Sequence, residues 1–259
     1  MKFICFHTSP NKRNFLTVSM LAMLLAISVF FIIPGSFTAF GIELFSKDDN
    51  PFGIAQDVWM QKYWNWWISL STEETTPIKD GCLINKNDSV VFVIEPTIGI
   101  VPNQICDISS KQGILIPLWP GWCDSGTDKD YQIAYPEKTW ADCARERYNT
   151  GHIRAEAMVD GRSIAKMDVK LSPSLVGGVL GYTITSLENV TEIYGNEFNL
   201  IIPEDSHKNA IPGTHVAGWH GWVIFLEPLP PGKHILSYSN KVSGPNANKA
   251  EVTYILNVK

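Results

Sequence analysis

The sequence predicts a mainly β protein: an antiparallel β-sandwich, of jelly-roll or immunoglobulin-like type, with one aromatic-rich helix packed on it and an N-terminal transmembrane or signal helix ahead of it. Three observations lead there. Short apolar runs rich in Val, Ile, Tyr and Phe recur after residue 88, each bounded by Gly, Pro, Asn or Asp. One stretch before them, "YWNWWISL" (63–70), is aromatic at helical spacing. A run of 19 uncharged, mostly apolar residues, Phe15 to Ile33, precedes both.

That first run is long enough to span a bilayer as a helix. Lys2, Lys12 and Arg13 stand before it and no charge follows closely, so residues 1–14 read as a cytoplasmic n-region and the rest of the chain as exported. Pro34-Gly35 ends the helix, and Ala39 and Gly41 in "SFTAFG" fit a small-residue cleavage site. The segment is either a signal peptide removed near Gly41, giving a secreted protein, or an uncleaved anchor that holds it in the membrane. Residues 34–56 read as a connector and 57–259 as one exported domain. Beyond Gly41 the chain has 26 acidic residues and 21 − 3 = 18 basic ones, a net −8. That balance is unsuited to nucleic acid or to an anionic lipid surface.

Trp59, Tyr63, Trp66 and Leu70 follow the i, i+4, i+7, i+11 rule, and Met60, Trp64 and Trp67 form an adjacent stripe. A helix over 57–70 therefore has a very wide apolar face. Its 26-residue distance from Ile33 takes it away from a bilayer. Packing against the sandwich is favoured over interface anchoring or ligand stacking, because each buried aromatic is worth roughly 1.5–3 kcal/mol. Strands are expected at 89–96, 113–119, 152–161, 162–171, 182–187, 197–203, 221–228, 233–239 and 251–258, and a second helical period at 138–148. Asp160-Gly161 marks a hairpin, and "PLPPGKH" (228–234) marks a second turn.

Cys82, Cys106, Cys123 and Cys143 lie beyond the apolar segment and Cys5 before it. Four cysteines in an exported domain read as two disulfides, with three connectivities open. The pairs Cys82–Cys106 and Cys123–Cys143 are preferred because they close the shorter loops. No Cys-x-x-Cys pair supports a thiolate metal site. The sequons at Asn87 and Asn189 suit surface loops.

Catalytic residues are not assignable. There is no G-x-S-x-G elbow, H-E-x-x-H helix, P-loop or dinucleotide fingerprint. Carboxylate pairs such as Glu73-Glu74 and Glu204-Asp205 read as solvated charge. "THVAGWHGW" (214–222) is the nearest thing to a site. His215 and His220 could hold Zn or Cu only if a glycine bends the strand, since an odd separation puts them on opposite faces. No cofactor is otherwise implied. Trp219, Trp222 and Trp66 are the candidate ligand-stacking residues.

The ordered set "YWNWWISL", "DGC" (80–82), "GILIPLW", "VDGRSI" and "GWVIFLEPLPPGKHILSYS" (221–239) resembles a group of uncharacterised exported prokaryotic proteins with a Trp-rich segment and a PLPPGxH hairpin. The resemblance implies a secreted β-rich domain and no catalytic residue. The expected function is a cell-surface or envelope-associated, non-catalytic binding or structural module, with a surface glycan or protein as partner. The alternative is an extracellular metal-dependent or glycan-acting enzyme.

Overall fold

The computed structural model describes residues 41–75, 82–85, 89–95, 99–147, 151–176, 179–243 and 248–259. The apolar segment 15–33 and the sequon at Asn87 lie outside them. Among the described residues no helix is long and apolar enough to cross a membrane. Ile42–Lys259 form one compact unit.

Helix α1 (Gln56–Ser69) buries Trp59, Met60, Tyr63, Trp64, Trp67 and Ile68. It is followed by the short α2 (Thr72–Thr75). The strands are β1 (Ile84–Asn85), β2 (Val90–Val93), β3 (Gly99–Ile108), β4 (Gly113–Asp124), β5 (Gly151–Val159), β6 (Arg162–Val176), β7 (Val179–Glu188), β8 (Thr191–Tyr194), β9 (Phe198–Ile202), β10 (Gly213–Leu226), β11 (Gly232–Ser243) and β12 (Asn248–Val258). Two further helices, α3 (Lys129–Ala134) and α4 (Trp140–Glu146), fall between β4 and β5.

The protein is mainly β and sandwich-like, but its sheets are mixed rather than antiparallel. The first sheet runs β1-β2-β4-β10, with β8 and β9 side by side on the far flank of β10. The second runs β3-β12-β11-β5-β6-β7. Two pairs are parallel, β2 with β4 and β12 with β3. The reason is the path of the chain. After β2 it leaves for the other sheet as β3 and returns as β4, so β4 enters beside β2 from the same end. A parallel pair requires such a crossover. "PLPPGKH" is corrected likewise: it carries the chain from β10 in one sheet to β11 in the other and closes no hairpin. Asp160-Gly161 does close one, between β5 and β6, with both residues at positive φ (52° and 75°).

Strand β4 runs through Pro117, as the sequence predicts, and continues through Pro120 to Asp124, past the predicted end at 119. It is central only where β2 pairs with it, over Gly113–Leu115. Beyond that, the described ladder runs on the β10 side alone, with a register shift opposite Trp222/Val223. Proline is tolerated on a flank without a ladder partner or at a bulge.

The first sheet is covered on both faces. On one lies α1: Trp59 meets Phe92 and Phe225, Trp64 meets Trp122, and Trp219 donates from Nε1 to Asp57 at 2.9 Å. On the other lies the second sheet, whose Tyr238, Asn240 and Tyr254 reach across to the backbone of Ile94, Leu118 and Leu83. Helix α4 packs on β4 and β10 at Gly218, where a Cβ would stand 2.3 Å from the Ala141 nitrogen. Only glycine permits that approach.

Both disulfides form as preferred from the spacing. Cys82–Cys106 ties the segment before β1 to β3 in the opposite sheet, and Cys123–Cys143 ties α4 to β4. Asn189, the second sequon, stands at φ 56° with its amide donating to the Ile164 carbonyl at 2.9 Å. Its nitrogen therefore has a structural task.

Candidate functional site

A cleft of about 280 Å³ opens beside the C-terminal half of α1. Five segments reach it: Trp64 from α1, Glu95 after β2, Trp122 from β4 with Thr127 just beyond, Arg147 at the end of α4, and the 208–210 stretch between β9 and β10.

Glu95 is placed by a buried tyrosine cluster. Its backbone N–H donates to the Tyr63 hydroxyl at 3.2 Å, and the preceding Ile94 N–H donates to Tyr254 at 3.2 Å. Burial, and then the Glu95 carboxylate, push the Tyr63 phenol well above its ordinary range, so it stays a neutral hydroxyl. The Glu95 carboxylate accepts from Trp67 Nε1 at 2.9 Å and from Lys208 Nζ at 2.5 Å.

Lys208 is held by the end of α1. The last carbonyls of a helix lack intrahelical partners. Here Ser206 Oγ donates to Ile68 O at 2.7 Å and the His207 N–H to Leu70 O at 2.9 Å. The Lys208 ammonium lies 5.3 Å from the Trp67 ring centroid, and a cation beside a helix C-terminus is favoured by the helix dipole.

The opposite wall is built on Asp124, fully buried at the end of β4. Its Oδ1 accepts the N–H groups of Gly126 and Thr127, each at 2.8 Å, which fixes the turn. Asp128, in the same turn, pairs with Arg147. Arg147 is positioned by α4, which starts in a reciprocal capping box between Thr139 and Asp142 and is clamped by Cys123–Cys143.

Within the cleft each cation therefore has its own carboxylate, Lys208 with Glu95 and Arg147 with Asp128. Asn209 is exposed, Trp122 at 8% exposure supplies a narrow apolar wall, and Trp64, 1% exposed, packs behind it. This can hold an uncharged ring with hydroxyls, because a hydroxyl both donates and accepts and can bridge an existing ion pair without breaking it.

His207 makes this corner sensitive to acid. Its Nδ1 hydrogen-bonds the Leu70 carbonyl at 3.0 Å, which requires the proton on Nδ1, while Nε2 is buried with no hydrogen-bond partner. Burial lowers its pKa below the usual 6.5. The native state thus binds fewer protons than the unfolded chain, and the stability this confers is complete above about pH 6.5 and lost as pH falls toward the depressed native value. Urea melts of the native protein at pH 7.5 and 5.5 should show that loss, and His207→Gln should remove most of the difference. An identical pH response in the variant would refute the assignment.

The residues singled out from the sequence lie elsewhere. Trp219 and Trp222 are buried, 0% and 2% exposed, and cannot stack on an incoming ligand. Trp219 lies on Gly195 and bonds Asp57, and Trp222 stands edge-on to His220. Trp66 is half-buried and lines a separate, shallower groove with Asn65, Asn85 and Phe92. His215 and His220 do not converge. Both lie in β10, which continues through Gly218 without a break, so their side chains point to opposite faces, roughly 16 Å apart along a strand. His215 Nε2 bonds the Ile211 carbonyl at 2.9 Å, and the buried His220 bonds Glu192 at 2.9 Å beside Tyr194 and Trp222. Among the described residues Cys123, Asp128 and Cys143 do come within metal-ligand distance of one another, but both sulfurs are spent in the disulfide.

Nothing in the sequence marks the cleft residues Trp64, Glu95, Trp122, Arg147 and Lys208 as one site. They are spread over 145 positions, and no local pattern links them. The one sequence signal was Trp122 beside Cys123, which announced an aromatic next to a staple. No family model, no curated protein and no solved structure matches this chain.

Proposed function

We propose that this chain is an exported, non-catalytic binding module. Residues 15–33 carry it out of the cytoplasm and then either anchor it in the membrane or are removed near Gly41. The two disulfides support an oxidising, extracytoplasmic setting. The observation that carries the proposal is the convergence of five separately braced segments on one cleft with internally paired charges and one partly exposed aromatic, Trp122. The ligand it fits is a single uncharged sugar ring, as at the end of a surface glycan. At about 280 Å³ the cleft is just below the roughly 300–1,000 Å³ of drug-sized pockets.

The alternative, an extracellular metal-dependent or glycan-acting enzyme, needs convergent ligands or two facing carboxylates. Among the residues lining the cleft Glu95 is the single carboxylate. This favours binding over hydrolysis.

A glycan array probed with the full chain in mild detergent tests the proposal. Neutral glycans should be retained, with affinity reduced about tenfold by Asn209→Ala, whose exposed side chain makes no hydrogen bond among the described residues, and by Trp122→Phe. Binding that neither substitution changes, or no binding to any neutral glycan, would overturn it.

A further inference from the structure

The outer face of the second sheet carries a cost that the fold does not explain. Lys249 on β12 pairs in register with Lys241 on β11, and Lys241 with Arg154 on β5. All three point outward, because their neighbours Ala250, Asn240, Val242, Ile153 and Ala155 are buried. Three cations thus stand side by side across three strands, about 5 Å from one to the next. Like charges directly opposite destabilise a sheet.

The flanks of the row are partly compensated and its centre is not. Arg154 donates from Nε to Asp168 at 2.9 Å, and Lys249 pairs with Glu251 at 3.0 Å. For Lys241 the described residues supply no carboxylate partner, and the loop that joins β11 to β12, Gly244–Ala247, contains no acidic residue. A concavity of about 430 Å³ lies over the row, lined also by Glu156, Lys166, Asp168, Ser186 and Ser239. Its lining carries four cations against two carboxylates, on a chain whose exported part has 26 acids to 18 bases.

We infer that the row Lys249–Lys241–Arg154 is a second binding site, for a polyanion. Strand spacing makes the row roughly 10 Å from end to end. That length suits an extended acidic polysaccharide, whose charged groups repeat along a chain, and exceeds what one small anion can bridge. Ser186 and Ser239 would donate to the same anionic groups. Binding removes the repulsion at Lys241, so ligand and sheet stability are coupled. This site is on the opposite sheet from the cleft and stands whether or not the cleft binds a sugar.

The experiment uses the full chain in mild detergent with heparin as the probe. Retention on a heparin column at about 0.15 M salt is expected, with elution at higher salt as counterion release requires. Lys241→Gln should weaken heparin binding about tenfold while leaving the melting temperature of the free protein unchanged or raised, because it relieves the row. A lysine that merely stabilised the sheet would give a lower one. Lys233→Gln, at the far end of β11 on the same face, should bind as the parent does. Equal loss in both variants, no retention at all, or binding to anionic lipid vesicles in preference to heparin would each overturn the inference.

Discussion

Replacing Trp59 by alanine should lower the stability of the protein by about 3–5 kcal/mol, the range for a fully buried tryptophan. Its ring is 1% exposed, sits edge-on to Phe92, and donates from Nε1 to the Pro51 carbonyl at 2.9 Å. Removing it opens a cavity between α1 and the first sheet. It also removes one of the two hydrogen bonds to that carbonyl, which keeps the Ile54 N–H at 3.2 Å, a loss of about 0.5–1.5 kcal/mol. Against a total of roughly 5–15 kcal/mol for a typical domain, such a change is at least about a fifth of the whole. Trp66→Ala is the internal control. Its ring is half-buried over a groove, and its loss should cost distinctly less. Guanidinium melts of the two variants decide it. Equal losses would mean that α1 presents its aromatic face differently from the register described here.

The second large effect is expected at Cys106. Its disulfide to Cys82 spans 24 residues and joins the segment before β1 to β3, an edge strand of the other sheet. β3 is held to its sheet by one parallel ladder on β12, with no second neighbour among the described strands. The staple therefore closes a loop between two sheets as well as fixing an edge. The chain-entropy model assigns such a loop about 3 kcal/mol, within the 2–5 kcal/mol commonly lost with a native disulfide. Cys106→Ala with Cys82→Ala should lower stability by that amount. Hydrogen exchange should rise first in β3. A loss below about 1 kcal/mol, or protection in β3 equal to that of β11, would contradict the account.

Much of the fold was legible in the residues themselves. Helix α1 was expected at 57–70 and is found at Gln56–Ser69, because seven aromatic and apolar side chains at helical spacing leave few other arrangements. The Asp160-Gly161 hairpin, the two cysteine pairs and most of the strands followed from equally local signals. These are properties of spacing, turn chemistry and loop length, which act over a few tens of residues at most. The remaining strands lack such signals. β8 is four residues long, and β3 contains Pro102, Asn103 and Gln104 among its apolar positions.

What the sequence alone determined, then, is that a β-rich, disulfide-stapled chain with one aromatic helix follows an apolar segment of 19 residues. Only the tertiary structure decided which faces of that helix and those strands look outward. Trp219 and Trp222 sit in a glycine-rich stretch that invites a loop, yet β10 stays extended because β9 pairs with it over Gly213–Ala217 and β4 over Ala217–Leu226, and both rings are buried. His215 and His220 are separated for the same reason. The cleft depends on contacts between residues as far apart as Trp64 and Lys208. The basic row depends on the register of three strands. Neither is encoded in any local stretch, because a strand's neighbours and its register are set by the packing of the whole sheet.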